Sequence, residues 1–207
     1  MGQIKKGILG GFSGKVGSVV GATWRGKDIV RSRPKASTKA PSEAQLKQRE
    51  RFRVAQYFIR PLKPLLALYF GEPTGSKSRV ELASSYFLKD VVFYENDDLV
   101  IDFDRVIISK GDLSPVYNLE KTTTGRTTEL SWTDNSGQGS AVETDLVTVA
   151  VYNEAFGDWF LFEDIATRGD ESAQINLPSY VGIENNKMYL FLHAANSNKA
   201  STSVQVL

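Results

Sequence analysis

The chain contains no cysteine and a single histidine in 207 residues. Without thiols there is no disulfide framework, no zinc–thiolate site and no cysteine nucleophile. One imidazole rules out the common two-His and three-His metal sites. Long hydrophobic runs are missing too. The longest apolar cluster, residues 65–70, falls far short of the roughly 18 residues of a membrane span. Apolar residues near the N-terminus are interrupted by Gly7, Gly10, Gly11, Gly14, Gly17 and Gly21, whereas a secretory signal needs an unbroken apolar stretch of about 7–15 residues. The expectation is a chain without a Sec signal peptide, cytoplasmic during synthesis, that leaves a cell only by lysis or a dedicated machine. The lack of cysteine fits a reducing compartment.

What remains is an ordinary globular composition, 41% hydrophobic and 24% charged. The length accommodates one large domain, or a small one with a second. Net charge is only +1, but it is unevenly divided. Residues 1–60 carry 14 Lys and Arg against Asp28, Glu43 and Glu50, a net of +11; residues 61–207 carry 11 against 21 acids, a net of −10. Such asymmetry points to a partner for the basic part. Nucleic acid is one, through counterion release from phosphates. The acidic part of a neighbouring copy is another, steering head-to-tail association. Neutralisation within one monomer is the third reading.

Eight of the 17 glycines lie in residues 1–26. Glycine is entropically costly to order, so this arm has little reason to fold alone. Residues 19–24 and 29–33 read as two strands joined by a turn over Arg25, Gly26, Lys27 and Asp28. Ile4, Ile8, Leu9, Phe12 and Val16 ahead of them are too diluted by glycine for a stable isolated helix. Residues 34–41 form a linker. Ser42 with Gln45 forms a capping box, and Phe52, Ala55, Ile59 and Leu62 then recur at helical spacing with Phe58 beside them. Pro61 and Pro64 end or kink that helix near Arg60. Residues 79–92 predict a second helix, although Val91, Val92 and Phe93 also suit a strand.

From about residue 99 the period becomes that of strands. The candidates are 99–108, 128–133, 145–153, 158–163, 172–177, 187–194 and 201–207. Turn-rich segments separate several of them, and seven short strands imply an antiparallel β-sandwich. The segment Glu129-Leu130-Ser131-Trp132 resembles the second strand, with its core Trp, of a fibronectin type III-like or immunoglobulin-like sandwich. Lys187-Met188-Tyr189-Leu190-Phe191-Leu192-His193-Ala194 resembles the sixth, with Tyr189 in the usual Tyr position. The resemblance implies a Trp132–Tyr189 core, a fragment 99–207 that folds alone, and binding or scaffolding more often than catalysis.

The whole chain is also similar to a family of functionally uncharacterised Bacteroidota proteins. The likeness rests on Gly10-Gly11-Phe12-Ser13-Gly14-Lys15-Val16-Gly17 with the preceding Gly7-Ile8-Leu9, on Val19-Val20-Gly21 and Trp24, on residues 41–53, on Trp132-Thr133-Asp134-Asn135-Ser136-Gly137, and on residues 151–153 and 166–168. That family brings no activity, cofactor or catalytic residue.

Candidate chemistry is sparse. A lone His193 on a strand is more often structural than catalytic. Asp97, Asp98, Asp102 and Asp104 cluster, and if alternate residues of a strand share a face, Asp102 and Asp104 could hold a hard cation; a solvated face is the simpler reading. Residues 7–14 lack the Gly-Lys-Ser/Thr ending of a phosphate loop. Arg168-Gly169-Asp170 is a tripeptide read by some adhesion receptors, but it is also ordinary turn chemistry. Trp159, Phe160 and Phe162, with Phe156 nearby, divide between core and interface.

The sequence therefore predicts a mainly β protein: a basic arm and linker (1–41), a helical segment (42–98) and a sandwich (99–207). The function expected is that of a non-enzymatic, self-assembling structural protein, a virion, phage-like particle or filament subunit, with no catalytic, metal or cofactor site. Ile8, Leu9, Phe12, Val16, Val19, Val20 and Trp24 form the assembly arm, packing on another copy. The alternatives are a nucleic-acid-binding module within residues 1–60, with Lys5, Lys6, Lys15, Arg25, Lys27, Arg31 and Arg33 on phosphates beside Trp24, and a surface adhesion module.

Overall fold

The computed structural model describes residues 3–4, 10–36, 38–182 and 184–207, with the side chains of residues 3 and 4 excluded. The chain forms two compact units, residues 1–43 and 44–207.

The first unit is a four-stranded antiparallel sheet in sequential order: β1 (Gln3–Ile4), β2 (Phe12–Val16), β3 (Val19–Trp24) and β4 (Lys27–Ser32). The expected hairpin is present, but its turn is tighter than four residues. Trp24 pairs directly with Lys27, leaving Arg25 and Gly26 as a two-residue loop with φ of 49° and 76°. Positive φ at both positions is the signature of a type I′ turn, whose twist matches that of the strands. In the glycine-diluted segment before it, Gln3–Ile4 and Phe12–Val16 are strands, because short antiparallel pairing tolerates glycine where the backbones crowd. A Cβ on Gly21 would lie 2.0 Å from the Phe12 carbonyl oxygen and 2.6 Å from its ring. Residues 33–36 and 38–42 carry no regular structure.

The second unit is mainly β with three helices. Seven strands form the sandwich. One sheet runs β10 (Asp158–Thr167), β9 (Leu146–Asn153), β12 (Asn186–His193), β13 (Val204–Val206); the other runs β11 (Ser172–Asn176), β8 (Thr127–Thr133), β7 (Tyr117–Thr124). Leu130, Trp132, Ala173 and Ile175 from the smaller sheet interlock with Val147, Val149, Val151, Met188, Leu190 and Leu192 from the larger. Three plus four antiparallel strands around such a core is the fibronectin III-like plan the sequence suggested. Two details differ. The first sandwich strand is β7, not residues 99–108. β7 is an edge strand of Tyr-Asn-Leu-Glu-Lys-Thr-Thr-Thr in which only Leu119 is half-buried, so it lacks the apolar alternation that reveals a strand. Residues 99–108 instead give β6 (Asp98–Ile101), which pairs with β5 (Val92–Glu95), followed by a 3₁₀ turn at Phe103–Arg105.

The other face of the larger sheet is covered by the helices α1 (Glu43–Ile59), α2 (Lys63–Tyr69) and α3 (Arg79–Tyr86), the last extended by a π-helical turn at Phe87–Val91. Ala55, Phe58, Ile59 and Leu62 are buried as expected, but Phe52 is exposed. At 100° per residue, Arg51 falls nearer the centre of the buried stripe than Phe52. The Arg51 guanidinium occupies that place and donates to the carbonyls of Val92 and Leu88. At the end of α1 the Leu62 N–H donates to the Ile59 carbonyl rather than to that of Phe58; Trp159 Nε1 donates to the Phe58 carbonyl at 2.9 Å. Phe58 also packs edge-on or tilted against Tyr152, Trp159, Phe87 and Phe103.

Because side chains alternate across a strand, β12 serves both layers. Met188, Leu190 and Leu192 face the sandwich core, while Tyr189 and Phe191 face the helices. The expected Trp132–Tyr189 core is thereby corrected: the two residues lie in different clusters on opposite faces of the larger sheet. Trp132 Nε1 donates to the Arg168 carbonyl, and Tyr189 Oη donates to the Phe103 carbonyl. Burial pushes the Tyr189 phenol well above its usual value, with Asp104, Glu154 and Asp102 adding to the shift.

Candidate assembly surface and the site survey

The described residues of the N-terminal sheet form no core of their own. Among its described residues only Gly21 is buried, and every residue of β4 is exposed. Trp24 is 52% exposed and Val30 61%, with Val16 and Ile29 also open to solvent. Paired and alternating positions place side chains on faces. Lys15, Val20 and Arg31 form one cross-strand row; Ala22–Ile29 and Trp24–Lys27 follow on the same face. Arg33, two residues beyond Arg31, continues it. At the turn, the Arg25 guanidinium stacks 4.8 Å from the Trp24 ring, a cation–π contact. The opposite face carries Phe12, Val16, Val19 and Val30 around Gly14 and Gly21, with Asp28 accepting a 2.9 Å hydrogen bond from Thr23.

The residues expected to drive assembly are thus divided. Phe12, Val16 and Val19 share the apolar face, while Val20 and Trp24 join Lys15, Lys27, Arg31 and Arg33 on the basic one. Ile8, Leu9, Lys5 and Lys6 lie outside the described residues. Ile29 and Val30 were absent from the expected arm, although their place in a hairpin strand was legible and a short strand with no apolar partner is a sufficient signal for exposure.

The other candidates are accounted for by local structure. His193 Nε2 lies 2.7 Å from Asp164 Oδ1, and its Nδ1 lies 3.3 Å from Tyr69 Oη, with the rings of Tyr69 and His193 stacked at 4.6 Å. Asp164 has a φ of 55° and sits in the β10 bulge between Phe162 and Ala166. Asp102 and Asp104 are not alternate strand residues. Asp102 accepts the Asp104 N–H at 3.1 Å and pairs with Arg105 at 3.2 Å, so its carboxylate caps a turn. Asp97 pairs with Lys47 at 2.6 Å. Among the described residues no three His, Asp or Glu side chains converge as a metal site would require.

The Arg168-Gly169-Asp170 tripeptide is a 3₁₀ turn in which Arg168 is 0% exposed. Its guanidinium donates to Asp145 Oδ2 at 2.9 and 3.1 Å, to Asn135, and to the carbonyls of Ser114 and Pro115. A buried Arg168 is not available to a receptor. Asp170 accepts from the Thr167 N–H and hydroxyl, which hold its carboxyl below the usual range. Trp159 is core, whereas Phe156 is exposed and forms a ring cluster with Phe160 and Tyr180. An open cleft of about 470 Å³ is lined by Glu72, Arg79, Lys110, Asp112 and Lys199. Its most enclosed cation, Arg79, is held by Glu72 at 3.1 Å and the Leu68 carbonyl at 2.6 Å.

Residues 11–206 match the model of a family of unknown function, DUF6266. The chain belongs to that family. The match takes in β2 to β4 of the N-terminal sheet as well as the sandwich, so both units are part of what defines it. No curated protein matches the chain. Among the described residues no helix is long and apolar enough to cross a membrane.

Proposed function

We propose that this DUF6266 member is a non-enzymatic structural subunit that self-assembles, its N-terminal sheet packing on a neighbouring copy. The reading rests on one observation: a four-stranded sheet in which, among the residues whose side chains are described, only a glycine is buried, with Val16, Trp24, Ile29 and Val30 open to solvent. Ordering a residue costs roughly 1–2 kcal/mol, and a small sheet needs a covered apolar face for stability. Each large side chain buried on a neighbour returns about 1.5–3 kcal/mol. The −10 charge of residues 61–207 supplies an attractive surface for the +11 of residues 1–60. A virion, phage-like particle or filament is the setting that suits such a subunit, made in the cytoplasm and carried in the particle. The same reading takes in a Bacteroidota branch of the family marked by the motif at residues 10–17.

The test compares the solution mass of the full chain with that of residues 34–207 at matched concentration and salt. The full chain is expected to form polymers or closed particles, and the truncated one a folded monomer or small oligomer. Equal masses overturn the reading.

A second reading is supported by the basic face. Lys15, Lys27 and Arg31 beside an exposed Trp24 combine charge with a stacking surface, the physics of single-stranded nucleic-acid binding. On it, the full chain retards a labelled oligonucleotide, the affinity falls steeply with salt, and residues 34–207 bind weakly. No retardation at low salt removes this reading.

A further inference from the structure

We infer that the free edge of β4 adds to the free edge of β10 on a second copy, in antiparallel sense, joining the N-terminal sheet of one subunit to the larger sandwich sheet of the next. The inference rests on the assembly reading and names the site on the neighbour.

β4 pairs with β3 on one side and has no ladder partner on the other among the described residues. Such an edge presents a row of unpaired N–H and C=O groups, a template for another strand. Pairing with a second β4 is disfavoured by its own charges. A two-fold axis through the sheet opposes residues of the same face. Centred on Ile29 it sets Lys27 against Arg31 of the second copy; centred on Val30 it sets Lys27 against Arg33; centred on Asp28 it sets that acid against itself. Like charges directly opposite are destabilising. The edge that fits β4 is therefore a different one, and an acidic one.

The second unit offers few such edges. β13 is three residues long, β11 carries no charge, and in β7 the adjacent Glu120 and Lys121 cancel. β5 and β6 have four residues and one acid each. β10 has ten residues, carries Asp158, Glu163 and Asp164 without a cation, and pairs only with β9. Asp164 is held by His193, so Asp158 and Glu163 are the acids that remain. The regular part of β10 ends at the bulge after Phe162, leaving the five residues from Asp158 to Phe162 for a six-residue β4. Phe160, Leu161 and Phe162 are only half-buried; in this pairing Phe160 faces Val30, Leu161 faces Ile29 and Phe162 faces Asp28. Antiparallel addition, the slightly more stable sense per residue, sets Ser32 opposite Asp158 and Arg31 opposite Trp159, and brings Lys27 to Glu163 where the bulge begins. The Lys27 end of the strand then meets the opposite charge of Glu163.

The cysteine-free sequence makes the test clean. Ser32→Cys and Asp158→Cys are prepared as separate full-length chains, mixed and oxidised. The expected product is the heterodimer, in excess of either homodimer, because the two thiols lie on different copies. Ser32→Cys mixed with Ser172→Cys, on the uncharged β11 edge, is expected to give at least tenfold less. In a second arm, Lys27→Glu weakens assembly severalfold at low salt, and mixing that chain with Glu163→Lys restores it. Assembly of the full chain without the Ser32–Asp158 cross-link and without charge-swap rescue overturns the edge pairing while leaving the assembly reading intact. Equal masses for the full chain and residues 34–207 overturn both.

Discussion

Arg168 fills a buried position with five guanidinium hydrogen bonds. Its carboxylate partner, Asp145, also accepts the Val142 N–H, so a single ion pair ties together the segments around residues 114, 135, 142 and 168. A buried pair is not by itself strong evidence for stability, but removing one member leaves a buried charge unpaired. Arg168→Ala is therefore expected to lower unfolding free energy by about 3–5 kcal/mol, while Arg168→Met with Asp145→Leu recovers much of that loss. Urea unfolding of the three chains checks it. None of this was visible in the sequence, where Arg168-Gly169-Asp170 reads as an exposed turn. The turn was legible from Gly-Asp; the burial was not, because it depends on Asp145 and Asn135 arriving from distant loops. The same limit applied to Phe52 and Arg51. Phe52 was read into the buried stripe, but the carbonyls of Val92 and Leu88, which give Arg51 its place there, come from another element.

Elements with strong periodicity were legible and weakly patterned ones were not. β12 reads as apolar on both faces and is covered on both, by helices on one side and a sheet on the other. β8 alternates cleanly and was found; β7, an almost fully exposed edge, was missed. β2 was hidden by its glycine, which weakens any propensity signal. Gly21, opposite it, fits only because it lacks a Cβ. Gly21→Val is expected to separate β2 from β3 while leaving the sandwich intact. Cleavage by trypsin after Arg25 and Lys27 should accelerate severalfold and the assembled mass should fall, with the urea midpoint of residues 44–207 unchanged.

At the scale of the molecule, the helices and the sandwich share a cluster that draws on both. Phe58, Leu66 and Phe87 pack with Tyr152, Trp159, Tyr189 and Phe191. A fragment of residues 99–207 keeps the sandwich core but opens the other face of β9 and β12 to water. The sequence favoured independent folding of that fragment. The shared cluster predicts instead that residues 44–207 unfold cooperatively while 99–207 is aggregation-prone, since a large bare apolar face invites association. Thermal unfolding followed by far-UV circular dichroism, with light scattering, separates the two outcomes; a soluble, cooperative 99–207 overturns the prediction. The sandwich itself was legible from turns and alternation. The covering of its outer face was not, because an amphipathic helix announces a buried side without saying what it will be buried against.

The segment between β4 and α1, residues 33–42, is a tether of ten residues. Fully extended, it reaches at most about 35 Å. A short tether holds an attached group at an effective concentration in the millimolar range, so under the proposed β4–β10 pairing a subunit's own arm would compete with the arms of its neighbours for an acceptor edge. Exchange between copies then wins only where local subunit density is high. Growth should show a critical concentration and a lag, and changing the length of the tether, rather than altering any contact, should move the threshold.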